Sequence, residues 1–139
     1  MAESISKATG EGIAKFSFEP DQKKREEEMH LYKRIATTSD MPILMDRGWH
    51  GRFCYHNVLG KQEHNEEEIM DLSHCFTASG GTILFMTASY GTILHRLRKR
   101  GDDFINSNDI AGILKRYDEL QSMLEERGIP FYIIDTSNL

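Results

Sequence analysis

The chain has 139 residues, enough for one domain with a sizeable core. With 39% hydrophobic and 28% charged residues it has the composition of an ordinary globular protein. The formal net charge of −5 excludes a general nucleic-acid binder, whose electrostatic footprint is basic. No apolar run reaches the length of a membrane span, and Met1 to Gly12 lacks a signal-peptide core. Neither a nucleic acid nor a membrane is therefore an expected partner, and the expected location is the cytoplasm. Cys54 and Cys75 have no metal spacing and form no disulfide framework, so both are expected to stay reduced.

Residues 1–12 are small and polar without periodicity and read as a flexible tail, leaving 13–139 as a single domain. Ala14 to Phe18 alternates weakly and predicts a short strand closed by Pro20. Asp21 to Ile35 predicts a helix with Met29, Tyr32 and Ile35 on one face, broken at Thr37-Thr38-Ser39-Asp40. Pro42 opens a strand whose Ile43-Leu44-Met45 has the unbroken apolar character of a strand covered on both faces. Asn65 is the expected N-cap of the next helix. Glu66 to Glu68 complement its dipole, and Ile69, Leu72, Ser73 and Phe76 form its inner face.

Gly80-Gly81 ends that helix, and Thr82 to Thr87 is the clearest buried strand in the sequence. Ser89 caps a helix that turns Ile93, Leu94 and Leu97 inward. Asn106 or Ser107 caps a long helix in which Ile110, Ile113, Leu114, Tyr117, Leu120 and Leu124 keep a period near 3.6. After Gly128 and Pro130, Phe131 to Ile134 forms the last strand. Strands alternating with helices of this length predict an α/β fold, a parallel sheet with flanking helices.

Two constellations can carry chemistry. Asp46-Arg47 stands at the carboxyl end of a strand, where ligands bind in open α/β sheets. The Arg can grip a phosphate with two parallel hydrogen bonds, and the Asp can bind a cation. The alternative is a simple Arg-Asp ion pair. Trp49, Phe53 and Tyr55 follow, with Gly48 and Gly51 between, as a loop of aromatic faces able to stack on a base, and Arg52 adds a further contact. These aromatics can equally pack the strand end. The second constellation is His95 to Asp103. Arg96, Arg98, Lys99 and Arg100 complement the dipole of their helix, or gather the negative charge of a transferring phosphoryl group. Six histidines make no H-x-x-x-H pair, and no G-x-S-x-G nucleophile elbow occurs.

The run DRGWHGRFCYHNVLG resembles the Asp-Arg-x-Trp…Tyr segment of phage-type deoxynucleotide kinases in the thymidylate kinase family. The resemblance implies that Arg47 holds the acceptor monophosphate, with Trp49 and Tyr55 shaping its pocket; Arg52 and Phe53 join the expected substrate contacts from the reading of the residues themselves. It implies that Asp46 lies near the transferred group and its Mg2+. Arg96 to Asp103 resembles the lid over the donor phosphates, implying donor contacts from Arg96, Arg98, Arg100 and Asp102, with Arg96 and Arg100 acting in catalysis. His95 departs from the family's usual Glu. Arg116-Tyr117 and Asp135-Thr136 also match, although the apolar stripe gives Tyr117 a packing role and no catalytic one.

No G-x-x-x-x-G-K-[ST] occurs, and the resemblance starts at about Phe16, after the family's first strand and phosphate loop. That strand lies between those equivalent to Ile43–Met45 and Thr82–Thr87. Its loss predicts an open groove, and hence a homo-oligomer or a partner chain that covers the sheet. Two functions stay open. One is a deoxynucleoside monophosphate kinase using a nucleoside triphosphate donor, dTMP being the foremost acceptor, without a Walker loop. The other is a pseudokinase that binds a nucleotide or a protein partner. A phage member would work in the host cytoplasm.

Overall fold

The computed structural model describes residues 12–15, 21–37, 43–58, 66–101 and 107–139. Nine elements follow in chain order: β1 (Gly12–Lys15), α1 (Gln22–Thr37), β2 (Ile43–Asp46), α2 (Trp49–Val58), α3 (Glu66–Ala78), β3 (Leu84–Thr87), α4 (Tyr90–Arg100), α5 (Ser107–Glu126) and β4 (Tyr132–Asp135). Alternation of strand and helix gives the expected α/β architecture. The four strands form two parallel pairs rather than one sheet: β1 with β2, and β3 with β4. Among the described residues β2 and β3 are thus not partners.

The helices explain themselves locally. Asp21 accepts from the Lys24 N–H at 3.1 Å and caps α1. Ser89 caps α4 by accepting from the Thr92 N–H at 3.2 Å, as read from the sequence. Gly101, left-handed at φ 67°, closes the same helix by donating to Leu97 O. The expected Pro20, Pro42, Asn65, Asn106 and Asp102 features lie outside the described residues.

A single core joins the layers. Met29, Tyr32 and Ala36 of α1, Trp49 and Phe53 of α2, Ile69 and Leu72 of α3, Phe85 of β3, and Leu120 and Leu124 of α5 are all buried in it. The helical stripes on α3 and α5 therefore do what their period demanded.

The strands correct two expectations. Ile43 is exposed, and Leu44 and Met45 are only half-buried, so β2 is not covered on both faces. On β3, Leu84 and Met86 are 41% and 43% exposed, and their register partners Tyr132 and Ile134 are 62% and 37% exposed. These four apolar side chains form one uncovered face, while Ile83 and Phe85 point to the core. An apolar strand sequence reports hydrophobicity but not which face is covered.

Candidate nucleotide site

β2 delivers Asp46 and Arg47 at its carboxyl end. Arg47 takes the left-handed conformation at φ 72° and Gly48 follows at φ 119°, so the chain turns directly into α2. Glycine suits this position, because φ 119° strains any other residue; an added Cβ would also stand 2.8 Å from Met45 Sδ and Cε, which would have to shift. Its carbonyl accepts the Arg52 N–H at 3.0 Å and starts the helix. For an arginine the left-handed region costs about 1 kcal/mol, a strain typical of binding sites. It leaves Arg47 exposed, with its guanidinium 5.9 Å from the ring centre of Tyr55. Asp46 is half-buried, and among the described residues no ion pair or hydrogen bond engages its carboxylate. The Arg47–Asp46 ion pair that the sequence left open does not form.

The aromatic loop of the sequence reading is instead the helix α2, and this changes the standing of its residues. Trp49 and Phe53 are 0% and 1% exposed and belong to the core. Arg52 is buried too. It donates to Glu28 Oε2 at 2.9 Å and lies over the Tyr32 ring at 5.8 Å, so its charge is spent inside the protein. Tyr55 is the aromatic residue of the set that stays half-buried beside Arg47. Gly48 and Gly51 read as loop residues in the sequence; Gly48 is a helix start, and Gly51 gives room to Tyr117.

Tyr117 comes from α5. Its ring meets Tyr55 edge-on at 6.4 Å and Phe85 edge-on at 6.0 Å. A Cβ on Gly51 would sit 3.3 Å from the Tyr117 hydroxyl and 3.6 Å from Arg47 Cβ. The hydroxyl therefore borders the Asp46–Arg47 turn. Burial pushes its pKa well up, with Cys54 and Tyr55 adding to the rise and Arg47 opposing it, so it stays a protonated donor.

The basic cluster forms a second region at the carboxyl ends of β3 and β4. Arg96 donates to Thr136 Oγ1 at 3.1 Å and to Thr136 O at 2.6 Å. Thr136 in turn donates to Thr87 O at 2.9 Å, and Ser137 Oγ accepts the Ser89 N–H at 3.0 Å. The segment after β4 is thereby tied to α4. Ser137 also holds the Asp135 carboxyl below its usual range through hydrogen bonding, with help from Arg96. Between these parts runs an open groove of about 580 Å³ lined by Gly91, Thr92, His95, Arg96, Lys99 and Ser137.

Arg98, Lys99 and Arg100 are exposed in the last turn of α4, with no ion pair among the described residues. They remain available for an anion, whereas Arg96 is already committed to Thr136. Among the described residues no three His, Cys, Asp or Glu side chains converge as a metal cage. Mg2+ needs less, since it is commonly held by one carboxylate together with substrate phosphates. The unengaged Asp46 fits that requirement.

The Tyr117 hydroxyl and the Thr136–Ser137 clamp were not assigned to a site from the sequence. An apolar stripe signals the ring of a tyrosine and is blind to its hydroxyl.

No family model matches the chain, and no curated protein matches it significantly. Among solved structures, the YorR protein of Bacillus subtilis in complex with phosphorylated GDP is similar, with 26% identity and a TM-score of 0.76. The match covers 97% of this chain and 77% of that one. The chain thus has an α/β, nucleotide-kinase-like fold. Among the described residues no helix is long and apolar enough to cross a membrane.

Proposed function

We propose that the chain binds a deoxynucleoside monophosphate at the Asp46–Arg47 turn as phosphoryl acceptor and transfers to it the terminal phosphoryl group of a nucleoside triphosphate, releasing the two diphosphates. The observation that carries this reading is Arg47, an exposed guanidinium held in a strained conformation at a strand's carboxyl end beside an unengaged carboxylate. The nucleotide in the similar YorR structure supports it. Arg47 binds the acceptor phosphate and Tyr55 walls the pocket. Asp46 is the residue that would hold Mg2+, which shields phosphate charge when bound. Arg100, with Arg98 and Lys99, supplies mobile positive charge to the donor phosphates. Such transfer rests on positioning and charge stabilisation, so flexible cations can do part of a phosphate loop's work. Asp102, the remaining donor residue of the reading, lies outside the described residues.

A second reading, binding without transfer, is favoured by one observation: Arg96 is engaged with Thr136 rather than free for phosphate. Under either reading the exposed face of Leu84, Met86, Tyr132 and Ile134 supports an assembly in which another chain covers it.

The test is phosphoryl transfer with purified protein, offering dTMP, dGMP, dCMP and dAMP with ATP, with and without magnesium. Diphosphate product is expected. Monophosphate binding without product would establish the second reading, and neither binding nor product would overturn both.

A further inference from the structure

We infer that the hydroxyl of Tyr117 is a second phosphate ligand of the Asp46–Arg47 site, donating a hydrogen bond to the monophosphate that Arg47 holds. This rests on the proposed acceptor site and names a residue that the sequence had assigned to packing.

Four observations converge on it. The ring is fixed by two edge-on contacts, Phe85 on one side and Tyr55 on the other, so the hydroxyl has one direction to point. That direction is the turn: the point where a Gly51 Cβ would stand lies 3.3 Å from the hydroxyl and 3.6 Å from Arg47 Cβ. Among the described residues the hydroxyl makes no hydrogen bond, and on this half-buried side chain it is not sealed inside the protein, so a ligand can reach it. Its proton is retained across the physiological range because burial disfavours the phenolate. A preorganised donor without a protein acceptor, beside an exposed guanidinium, suits an anionic oxygen.

Gly51 completes the arrangement. It lies in the first turn of α2, where alanine is the better helix former by about 1 kcal/mol. A methyl group there would press on the hydroxyl while standing in ordinary van der Waals contact with Arg47 Cβ. Glycine at this place favours the site over the helix.

The experiment is calorimetric binding of the deoxynucleoside monophosphate that the wild type prefers, with thermal melting as the fold control. Tyr117→Phe keeps the ring and its edge contacts and removes only the hydroxyl. We expect it to weaken the monophosphate roughly ten- to hundred-fold, as loss of a hydrogen bond to a charged group does, without lowering Tm. Gly51→Ala is expected to weaken binding at least about threefold, from the crowding at the hydroxyl, while Tm stays level or rises. Unchanged affinity in Tyr117→Phe would overturn the inference. It would leave the acceptor site standing provided Arg47→Ala still loses binding. A wild type that binds no monophosphate would overturn the site itself, and the inference with it.

Discussion

The imidazole of His50 and the hydroxyl of Ser73 meet at 2.8 Å inside the core, joining the first turn of α2 to the middle of α3. Trp49 Nε1 donates to the same hydroxyl at 3.1 Å, and Ser73 Oγ reaches its own helix at Ile69 O, 2.8 Å away. Buried polar groups are tolerated because each has a partner. The price of the arrangement is that His50 must remain neutral: desolvation lowers its pKa to about 3.

The sign of the resulting pH dependence follows. Between the ordinary histidine value near 6.5 and the folded value, the unfolded chain takes up a proton that the folded chain refuses. Stability is therefore complete above that ordinary value and falls as the pH drops. The loss is about 1.4 kcal/mol per pH unit, or roughly 2 kcal/mol by pH 5. Urea unfolding midpoints at pH 7.5 and pH 5 measure it. His50→Asn, which cannot titrate, should flatten most of that difference; an equally steep dependence in the variant would assign it to other groups.

Arg52 is expected to be structural. Its side chain is 3% exposed, and its partner Glu28 is 24% exposed at 2.9 Å. Glu28→Ala removes the carboxylate paired with a buried guanidinium and should cost roughly 2–4 kcal/mol, somewhat less than for a fully enclosed pair. Denaturant unfolding gives the cost. Monophosphate affinity measured well below the melting range should not move. A selective loss of affinity at unchanged stability would return Arg52 to the binding site.

Arg96 and Arg100 stand four residues apart in sequence and should behave differently. Arg96→Ala removes both hydrogen bonds to Thr136 and should lower stability by roughly 1–2 kcal/mol, as well as any turnover. Arg100 is exposed in the last turn of α4, so Arg100→Ala should leave Tm unchanged and lower turnover tenfold or more at unaltered monophosphate affinity. Steady-state kinetics beside melting curves separate the two; identical behaviour would remove the distinction.

Arg47 carries a trade between strain and binding. Arg47→Gly relaxes the left-handed residue and should raise stability by up to about 1 kcal/mol, offset in part by the lost contact with Tyr55. The same change should abolish monophosphate binding. Loss of both stability and binding would mean that the arginine side chain is chiefly structural.

How much of this was legible in the sequence depended on the kind of signal. Helical periodicity placed Ile69 and Leu72 of α3, and Leu120 and Leu124 of α5, in the core, because burial of one face leaves a 3.6-residue trace. Ser89 was legible as a cap, since its side chain acts on its own next turn. Asp46 and Arg47 were legible because they end a strand. By contrast, the sequence left Trp49 and Phe53 between pocket walls and packing at the strand end, and they lie in the core. Their placement depends on α1 and α3 packing from a distance, and on the positive φ of Gly48 that turns the chain directly into α2. Exposure of Leu84 and Met86 was likewise hidden, since the pattern of apolar residues is the same whether or not a layer covers them.

The central claim is that Arg47 holds an acceptor phosphate, and phosphoryl transfer to a deoxynucleoside monophosphate by the wild type and by Arg47→Ala tests it most directly. Diphosphate product is expected from the wild type, with kcat/KM at least about a hundredfold lower in the variant, mainly through KM, and Tm lowered at most by the lost contact with Tyr55. Transfer that persists undiminished in Arg47→Ala would contradict it.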